Sequence, residues 1–301
     1  MLTHQNNPAR NPARVALLGA KGFVGAALRT RLEAEGIPVV PLGRPAVDLL
    51  DPDCIGHLAT LWGAHDALVV TAALTPDKGR DMATLVRNLK MAEHLAAALA
   101  KQPCAHVVYF SSDAVYDASQ PLVSEATAAA PGDLYGVMHL ARELALREAA
   151  GKAGIPFCVL RPCAIYGAGD THNSYGPNRF IRSALSEGKI KTFGSGEETR
   201  DHVYIGDVCR LALLALSHRS VGTLNLASGE AVTFGWVAAE VARLAGTAVA
   251  IEQLPRGGPV THRRFDVTAI ARAFPGFKPT PIGKGLAETL ALIQKAGRPP
   301  A

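Results

Sequence analysis

The sequence predicts an α/β fold in which helices cover both faces of a parallel β-sheet, with a smaller lobe built from the second half of the chain. Three observations lead to this prediction. Short apolar runs alternate with helical segments between residues 15 and 160, and strands joined by helices of this length form parallel, doubly wound sheets. A glycine-rich turn follows the first run. Beyond about residue 161 the alternation becomes irregular and Gly and Pro become frequent, as expected of a lobe added to the end of the sheet.

The elements follow one another in a regular order. The first strand is predicted at Val15–Leu18, and the helix after it begins at Phe23 and stops at Gly36. Asp133 suits the N-cap of a later helix because its side chain can accept from a free backbone N–H. Further strands are expected at Pro38–Leu42, Ala67–Thr71, His106–Phe110 and Pro156–Leu160, and further helices at Met82–Ala100, Leu134–Ala150, Val237–Leu244 and Pro281–Ile293.

Three parts of the chain are expected. Residues 1–13 are polar, contain Asn-Pro breaks and lack the apolar stretch of a secretory signal, so we predict a disordered arm. Residues 14–165 would form the sheet domain. Residues 166–301 would form mainly a substrate-binding lobe, with segments that return to the sheet.

Composition and charge argue against several classes of function. Lys and Arg number 31 against 26 Asp and Glu, a net charge of +5 without a concentrated basic run, so we expect no nucleic-acid partner. The apolar runs fall far short of the ~20 residues of a membrane-spanning helix, so we expect no membrane contact. The five cysteines form no C-x-x-C pair, which predicts free thiols, a cytoplasmic location and no metal.

A glycine-rich turn joins the first strand to the first helix. Its sequence, Gly19–Gly25, reads GAKGFVG. Gly19 would make the tight turn, Gly22 would let the backbone approach a pyrophosphate, and Gly25 would allow the helix to pack closely on the strand. The helix N-terminus adds free N–H groups and partial positive charge. We therefore predict a dinucleotide site with contacts from Gly19, Lys21, Gly22, Phe23 and Val24.

The end of the second strand bears on which dinucleotide binds. A carboxylate there would bind the ribose 2′-hydroxyl of NAD, but Gly43 and Arg44 stand there instead. An arginine can pair with a 2′-phosphate, so the sequence favours NADP over NAD. Asp48 and Leu49 could hold the adenine edge, although Asp48 could equally be a turn or N-cap residue. The remaining cofactor contacts are expected from Ala72 and Ala73, directly after the third strand.

Two further segments carry a resemblance to a known family. Tyr109–Tyr116 reads YFSSDAVY at the end of a strand, and Tyr135–His139 reads YGVMH in a helix. With the glycine-rich turn, they closely resemble the extended short-chain dehydrogenase/reductase family and, more narrowly, its nucleotide-sugar epimerase/dehydratase branch. Segments at 161–167, 193–208, 225–229 and 265–268 agree, so the resemblance spans residues 14–293. It implies a Rossmann-type fold, NAD(P), and hydride transfer between a nicotinamide and a sugar hydroxyl or ketone.

The resemblance also implies roles for individual catalytic residues. Tyr135 would be the acid/base at the reacting oxygen, and Ser112 would hydrogen-bond that oxygen. An ordinary phenol, with a pKa of ~10, is a poor base at neutral pH, and the family places a lysine four residues after the tyrosine to supply charge and anchor the ribose. Here that residue is His139, which either bonds the ribose and assists Tyr135 when protonated, or leaves the chemistry slow or altered. Arg142 could lend charge, although a solvent-exposed helix arginine is the simpler interpretation.

The residues around Ser112 and on the substrate side bear on the reaction. A 4,6-dehydratase of this branch has an Asp-Glu pair here, but Asp113 is followed by Ala114, so elimination is disfavoured and ketoreduction or epimerisation remain. Arg200 matches the family arginine that contacts the nucleotide, with a salt bridge to Asp201 or a neighbouring glutamate as the alternative. Ala164 stands where the family usually has an asparagine that donates to the diphosphate. Substrate contacts are expected from Asp113, Ala164, Asn178 and Arg200.

Two classes of function stay open. One is an NAD(P)-dependent oxidoreductase or epimerase acting on a sugar, with a nucleotide sugar as the small-molecule partner. The other is a catalytically weak cofactor-binding sensor or structural module, because His139 and Ala164 depart from the family pattern. The intact Ser112 and Tyr135 pair favours the enzyme. The resemblance further implies a homodimer joined through the helices at Met82–Ala100 and Leu134–Ala150.

Overall fold

A seven-stranded β-sheet forms the centre of the protein. The computed structural model describes residues 2–246 and 248–297. Its strands are β1 Thr3–His4, β2 Val15–Leu18, β3 Val39–Leu42, β4 Ala67–Val70, β5 His106–Phe110, β6 Leu122–Val123, β7 Phe157–Pro162, β8 Ala164–Tyr166, β9 Lys189–Phe193, β10 Thr199–Tyr204, β11 Ser220–Leu226, β12 Ala231–Thr233, β13 Ala250–Leu254 and β14 Arg264–Phe265. Its helices are α1 Phe23–Ala34, α2 Cys54–Leu58, α3 Met82–Lys101, α4 Leu134–Lys152, α5 Pro177–Glu187, α6 Ile205–Ser217, α7 Phe234–Ala245, α8 Thr268–Ala273 and α9 Ile282–Lys295.

The order of the strands in the central sheet is β3-β2-β4-β5-β7-β11-β1. The first six run parallel to one another, and β1 pairs antiparallel with β11. Every residue of β2, β4, β5 and β7 is buried, because helices cover both faces. The predicted doubly wound α/β fold is therefore confirmed. Since β3 and β4 flank β2 on opposite sides, the carboxyl ends of the strands open a crevice beside β2, where ligands of such sheets bind.

Two apolar layers hold the helices against this sheet. On one face, α1 and α6 pack together through Leu28, Leu32 and Leu211, all fully buried. On the other face, Leu95 of α3 and Leu146 of α4 pack against the opposite side chains of the strands. Among the helices in the described ranges, none combines the length and apolar character needed to cross a bilayer.

The later part of the chain builds two small sheets over the carboxyl edge. Strands β8, β10 and β12 form one, and β9 pairs with β13 in another. Helices α5, α7 and α9 enclose a separate core that includes Phe180, Val237 and Leu286. The chain returns to the central sheet through β11, which lies next to β7.

The N-terminal segment departs from the prediction of a disordered arm over residues 1–13. Thr3 and His4 pair with Val221 and Ser220 as β1. The His4 ring bonds the Ser220 hydroxyl and the Ala273 carbonyl, both at 2.9 Å, and stacks on Phe274. These partners lie more than 200 residues away, so no local pattern could reveal them.

Helix boundaries differ from the prediction where a cap or a proline sets them. Helix α7 begins at Phe234, three residues before the predicted start, because the Thr233 hydroxyl caps the Trp236 N–H at 3.0 Å. Helix α5 begins at Pro177. Proline at the first turn suits a helix start since its missing N–H would be unpaired there.

Candidate functional site

Packing requires glycine at two of the three glycine positions in the glycine-rich turn. Gly19 has a φ of +90° and donates its N–H to the Leu42 carbonyl at 2.9 Å, and a Cβ there would lie 2.6 Å from the Thr71 hydroxyl. A Cβ on Gly25 would collide with the Gly19 carbonyl oxygen. Only glycine fits at either position, so β2, α1 and the residue after β4 come together tightly.

Gly22 has no such packing requirement from the protein. Among the described residues, a Cβ there would meet only the Gly19 carbonyl oxygen, at 3.4 Å. Gly22 is the N-cap of α1 and provides no side-chain cap, and the first N–H groups of a helix have no intrahelical partner. Phe23 and Val24, both half-buried, begin that helix. The turn therefore fits a pyrophosphate that approaches the bare backbone at Gly22.

The Lys21 side chain reaches the backbone of Arg44 beyond the carboxyl end of β3. The Lys21 ammonium donates to the Arg44 carbonyl at 3.2 Å, and both side chains are exposed. Asp48 is also exposed, and its carboxylate accepts from the Leu50 N–H at 3.0 Å, the turn role that was its alternative. The Leu49 side chain is buried in the apolar layer against α3, and its carbonyl bonds the His94 ring of that helix at 2.9 Å.

The loop after β4 is tied to two helices. Ala72 and Ala73 are half-buried, and the Ala72 carbonyl accepts from the Arg142 guanidinium at 2.7 Å. Asn88 of α3 bonds both the N–H and the carbonyl of Leu74, at 2.9 and 3.0 Å. This loop is consequently fixed at the crevice edge, where the two alanines were expected to contact a cofactor.

Ser112 and Tyr135 come together because α4 packs directly on the turn that follows β5. The Ser112 hydroxyl caps that 3-10 turn, Asp113–Val115, by accepting from the Ala114 N–H at 3.1 Å. The Asp133 carboxylate caps α4 by accepting from the Gly136 N–H at 2.8 Å. A Cβ on Gly136 would collide with the Ala114 carbonyl oxygen. This contact places Tyr135, the adjacent residue, near the Ser112 hydroxyl, which lowers the pKa of the phenol.

The surroundings of Tyr135 keep its phenol protonated. Burial raises its pKa above the ordinary value, and Tyr109 and Asp113 raise it further. The Ser112 hydroxyl and the charge of Arg142 lower the pKa. Because the raising effects are larger, the phenol is a proton donor at neutral pH.

His139 is a buried, neutral residue. Its side chain is 3% exposed, and burial, followed by the charge of Arg142, lowers its pKa to about 3. Its Nδ1 bonds the Tyr109 hydroxyl at 2.9 Å, and its ring meets the Tyr135 ring edge-on with centroids 4.7 Å apart. Within residues 2–246 and 248–297, Nε2 has no hydrogen-bond partner. His139 therefore carries no charge that could act on Tyr135.

Arg142 corrects the interpretation of a solvent-exposed helix arginine, since its side chain is fully buried. Residues 135, 139 and 142 share one face of α4, because they follow the helical spacing of four and three, and that face packs on the sheet. The guanidinium carbon lies 5.4 Å from the centre of the Tyr109 ring. The guanidinium also donates to Asn88 at 3.1 Å.

A buried polar network fixes α4 relative to β5 and β7. Glu143 accepts two hydrogen bonds from Arg161, at 2.6 and 2.9 Å, and one from the Ser111 hydroxyl. Arg161 also donates to the Tyr116 hydroxyl at 2.9 Å, which in turn donates to Asn225 at 2.8 Å. Sequence reasoning missed this network, because its members are spread over 115 residues and become neighbours only in the fold.

The substrate side brings Asp113 against two arginines. Arg263 donates to the Asp113 carbonyl at 3.0 Å and lies 3.8 Å from its carboxylate. Burial raises the pKa of Asp113, while Arg263 and then Arg200 oppose that rise. Sequence reasoning missed Arg263, although it lies only two residues before the matched segment 265–268.

Of the two alternative salt bridges of Arg200, the one with Asp201 does not form, whereas the one with a neighbouring glutamate, Glu198, does. Arg200 donates to the Thr261 carbonyl and hydroxyl, both at 2.7 Å, and lies 3.9 Å from Glu198. Asp201 instead accepts from the backbone of Ser228 and Gly229. The Arg200 guanidinium is thus held by the neutral groups of Thr261 and by a longer ion pair with Glu198.

Ala164 and Asn178 differ in how they face the site. Ala164 is exposed at the start of β8. Asn178 is buried in α5, and its side-chain oxygen accepts from the Gly167 N–H at 3.0 Å. Asn178 consequently holds a turn in place, while the position of Ala164 offers no donor.

Comparison with known proteins gives one family and several relatives. Residues 15–227 match the profile described as the NAD dependent epimerase/dehydratase family. The chain is 26% identical over 318 residues to dTDP-4-dehydro-6-deoxy-D-allose reductase of Streptomyces bikiniensis, covering 91% of this chain and 94% of that protein. It is 29% identical over 145 residues to an uncharacterized UDP-glucose epimerase, YtcB, of Bacillus subtilis (strain 168), a match that spans 48% of this chain and only 46% of that protein.

A solved structure extends the likeness to three dimensions. RMD from Pseudomonas aeruginosa, complexed with NADPH, superposes with a TM-score of 0.81 at 27% identity, covering 94% of this chain and 99% of that one. Fold and sequence therefore point to the same group of proteins.

Proposed function

The chain belongs to the NAD dependent epimerase/dehydratase family, and within that family we propose that it is an NADP(H)-dependent reductase of a nucleotide-linked keto sugar. The observation that carries the proposal is the placement of Ser112 and Tyr135 side by side at the carboxyl edge of the sheet. The nearby backbone of Gly19 and Gly22 suits a dinucleotide.

The protonated phenol of Tyr135 favours the direction of reduction. When bound, the dinucleotide supplies a hydride to the carbonyl carbon of the sugar. The Ser112 hydroxyl would donate a hydrogen bond to the carbonyl oxygen, and Tyr135 would transfer its proton to that oxygen as negative charge develops there. Because burial raises the pKa of Tyr135, the proton is in place at neutral pH.

The preference for NADP rests on charge at the end of β3. The Lys21 ammonium contacts the Arg44 backbone there, both side chains are exposed, and no carboxylate ends the strand. A 2′-phosphate would gain two cationic partners, whereas a 2′-hydroxyl would lose its usual acidic one. The NADPH in the similar RMD structure agrees with this preference.

The groups beside Ser112 favour reduction of a keto sugar over dehydration. Elimination of water needs a base next to the acid, and Ala114 cannot supply one. Asp113 is engaged by Arg263. Arg200 and Arg263 give the substrate side the positive charge that a diphosphate requires, and the relative from Streptomyces bikiniensis is named as a reductase of a dTDP-linked sugar.

Epimerisation is a second candidate, favoured by the match to a protein named as a UDP-glucose epimerase. An epimerase keeps its cofactor bound through a full cycle, whereas a reductase exchanges it. Net oxidation of NADPH by a keto sugar therefore separates the two.

We further propose a homodimer through α3 and α4. These helices pack side by side and leave between them an apolar groove of about 680 Å³, lined mainly by alanines such as Ala92, Ala96, Ala141 and Ala145. Leu144 and Val86 on the same helices are exposed. A second copy would bury this face by forming a four-helix interface. Sedimentation equilibrium should therefore give twice the mass of the chain. Ala145→Glu, which places a charge in the groove, should give the mass of the monomer.

The reductase is tested with NADPH or NADH and a panel of dTDP-, UDP- and GDP-linked 4-keto-6-deoxy sugars. We expect loss of NADPH absorbance with at least one keto sugar, a higher kcat/KM for NADPH than for NADH, and abolition by Tyr135→Phe. Arg44→Ala should narrow the NADPH preference, with Arg10→Ala, at an exposed arginine outside the crevice, as the control. Tight binding of NADPH without turnover on any keto sugar would contradict the proposal and favour the sensor.

A further inference from the structure

The site contains a buried positive charge at a position that the sequence did not assign. Residue 139 is neutral, because burial lowers the pKa of its imidazole to about 3. Three residues later, Arg142 turns its guanidinium inward, and its side chain is fully buried. The guanidinium lies over the Tyr109 ring, whose hydroxyl bonds His139, and the His139 ring touches that of Tyr135. Arg142 therefore belongs to the cluster of rings that contains the reacting phenol.

The partners of Arg142 leave its charge uncompensated. The two terminal nitrogens donate to neutral acceptors, the Asn88 side-chain oxygen at 3.1 Å and the Ala72 carbonyl at 2.7 Å. Nε is buried without a partner, and no ion pair joins the guanidinium anywhere in the described part of the chain. The nearest acid along the helix, Glu143, is bound to Arg161. A buried charge without a counterion acts strongly on neighbouring ionisable groups, because little water screens it.

We propose that Arg142, and not residue 139, is the cation that stabilises the deprotonated form of Tyr135 during proton transfer. The inference rests on the proposed function, in which Tyr135 gives up its proton to the substrate. In this proposal His139 is an uncharged side chain that holds the Tyr109 and Tyr135 rings in place. Arg142 acts on Tyr135 through space and through its hydrogen bond to Ala72 in the loop after β4 (the Ala72 loop). It is therefore a positioning residue.

Other charged and titratable groups also face Tyr135, and they set the direction of the expected effects. Asp113 and Tyr109 disfavour the phenolate, and Arg142 and the Ser112 hydroxyl favour it. Arg80 and Asp81, at the start of α3, line the same small cleft as Tyr135. Asp113 in turn faces Arg263 and Arg200. Of these groups, Arg142 is the cation on the helix of Tyr135 itself.

The proposal is tested by titrating the phenol of residue 135 directly. Tyr135→3,5-difluorotyrosine makes the phenol intrinsically more acidic, and fluorine NMR follows its ionisation in the whole protein, with and without NADP⁺. Adding Arg142→Met should raise its pKa by about one unit or more, whereas Arg142→Lys should keep most of the original value. The matched control is Arg147→Met, which removes an exposed arginine from the same helix and should leave the pKa unchanged.

A second pair of variants covers the case in which Arg142→Met does not fold. Asn88→Asp places a carboxylate against the guanidinium and should also raise the pKa of residue 135. Asn88→Ala removes the same hydrogen bonds without adding charge and should raise it less. An unchanged pKa in Arg142→Met or in Asn88→Asp, or a phenol that fails to ionise in the parent protein, overturns the proposal. Because this titration needs no turnover, a chain inactive on every keto sugar would defeat the proposed function and leave this test intact.

Discussion

At the scale of single residues, the phenol of Tyr135 is set by what surrounds it. Burial raises its pKa, and the Ser112 hydroxyl and Arg142 oppose that rise. The family pattern in the sequence could predict that Ser112 and Tyr135 act together. It could not predict the burial of Arg142, because the partners that hold its guanidinium, Asn88 and Ala72, lie 54 and 70 residues away along the chain.

The pH dependence of reduction follows from these groups. Tyr135 must be protonated to act as the acid, and its pKa is raised, so activity should persist well above pH 8 and fall only near or above the ordinary phenol pKa of ~10. His139 has a pKa of about 3, so the profile of kcat/KM against pH should show no inflection near the ordinary histidine pKa of ~6.5. The measurement is kcat/KM for the keto sugar across this range. A limb near pH 6.5 that disappears in His139→Gln would contradict this description.

At the scale of elements, the contact between α4 and the turn after β5 aligns the two catalytic side chains. Both elements were predictable: apolar runs located β5, and the capping residue Asp133 located the start of α4. Their contact was not, because it depends on Gly136 lying against the Ala114 carbonyl, and a glycine in a helix carries no signal about what it touches. The buried network of Glu143 and Arg161 then holds α4 at this angle.

Two glycines of α4 allow a matched test of this contact. Gly136→Ala would place a Cβ against the Ala114 carbonyl oxygen and 2.8 Å from Pro131. Overpacking of this kind costs about 1–3 kcal/mol of unfolding free energy, and it should lower kcat by moving Tyr135 away from Ser112. Gly151→Ala meets nothing within 4 Å, so it should be neutral or stabilise by about 0.5–1 kcal/mol. Urea unfolding and steady-state kinetics check both, and equal effects of the two substitutions would argue against the contact.

At the scale of the whole molecule, the order of strands creates the crevice and the later segments close it. The alternation of apolar runs and helices predicted the sheet because each signal is local. The pairing of β1 with β11 was hidden, since it joins, at one edge of the sheet, two segments that lie 216 residues apart in the chain. The Arg200 and Arg263 pair is similar, because two segments of the second half meet there only after the lobe has folded.

Buried histidines make the stability of the whole fold sensitive to acid. Burial lowers the pKa of His106 and His202 to about 4 and that of His139 to about 3. Each histidine is neutral in the folded protein and gains a proton in the unfolded chain below pH ~6.5. Its contribution to the free energy of unfolding is therefore fully present above that pH and is lost as the pH falls. Below pH ~6.5, each histidine should lower the free energy of unfolding by about 1.4 kcal/mol per pH unit. Urea unfolding between pH 7.5 and 5 measures this slope, which should decrease in His106→Gln; an unchanged slope would show that His106 titrates normally.

The proposed reductase function requires the nicotinamide to lie beside Tyr135 and Ser112. A crystal structure of the protein with NADPH tests this placement directly. We predict the pyrophosphate at Gly22, the 2′-phosphate between Lys21 and Arg44, and the nicotinamide ring within contact of the Tyr135 hydroxyl and of the Ala72 loop that Arg142 holds. A dinucleotide bound elsewhere, or bound at the turn with its nicotinamide directed away from Tyr135, would contradict the proposed reductase function.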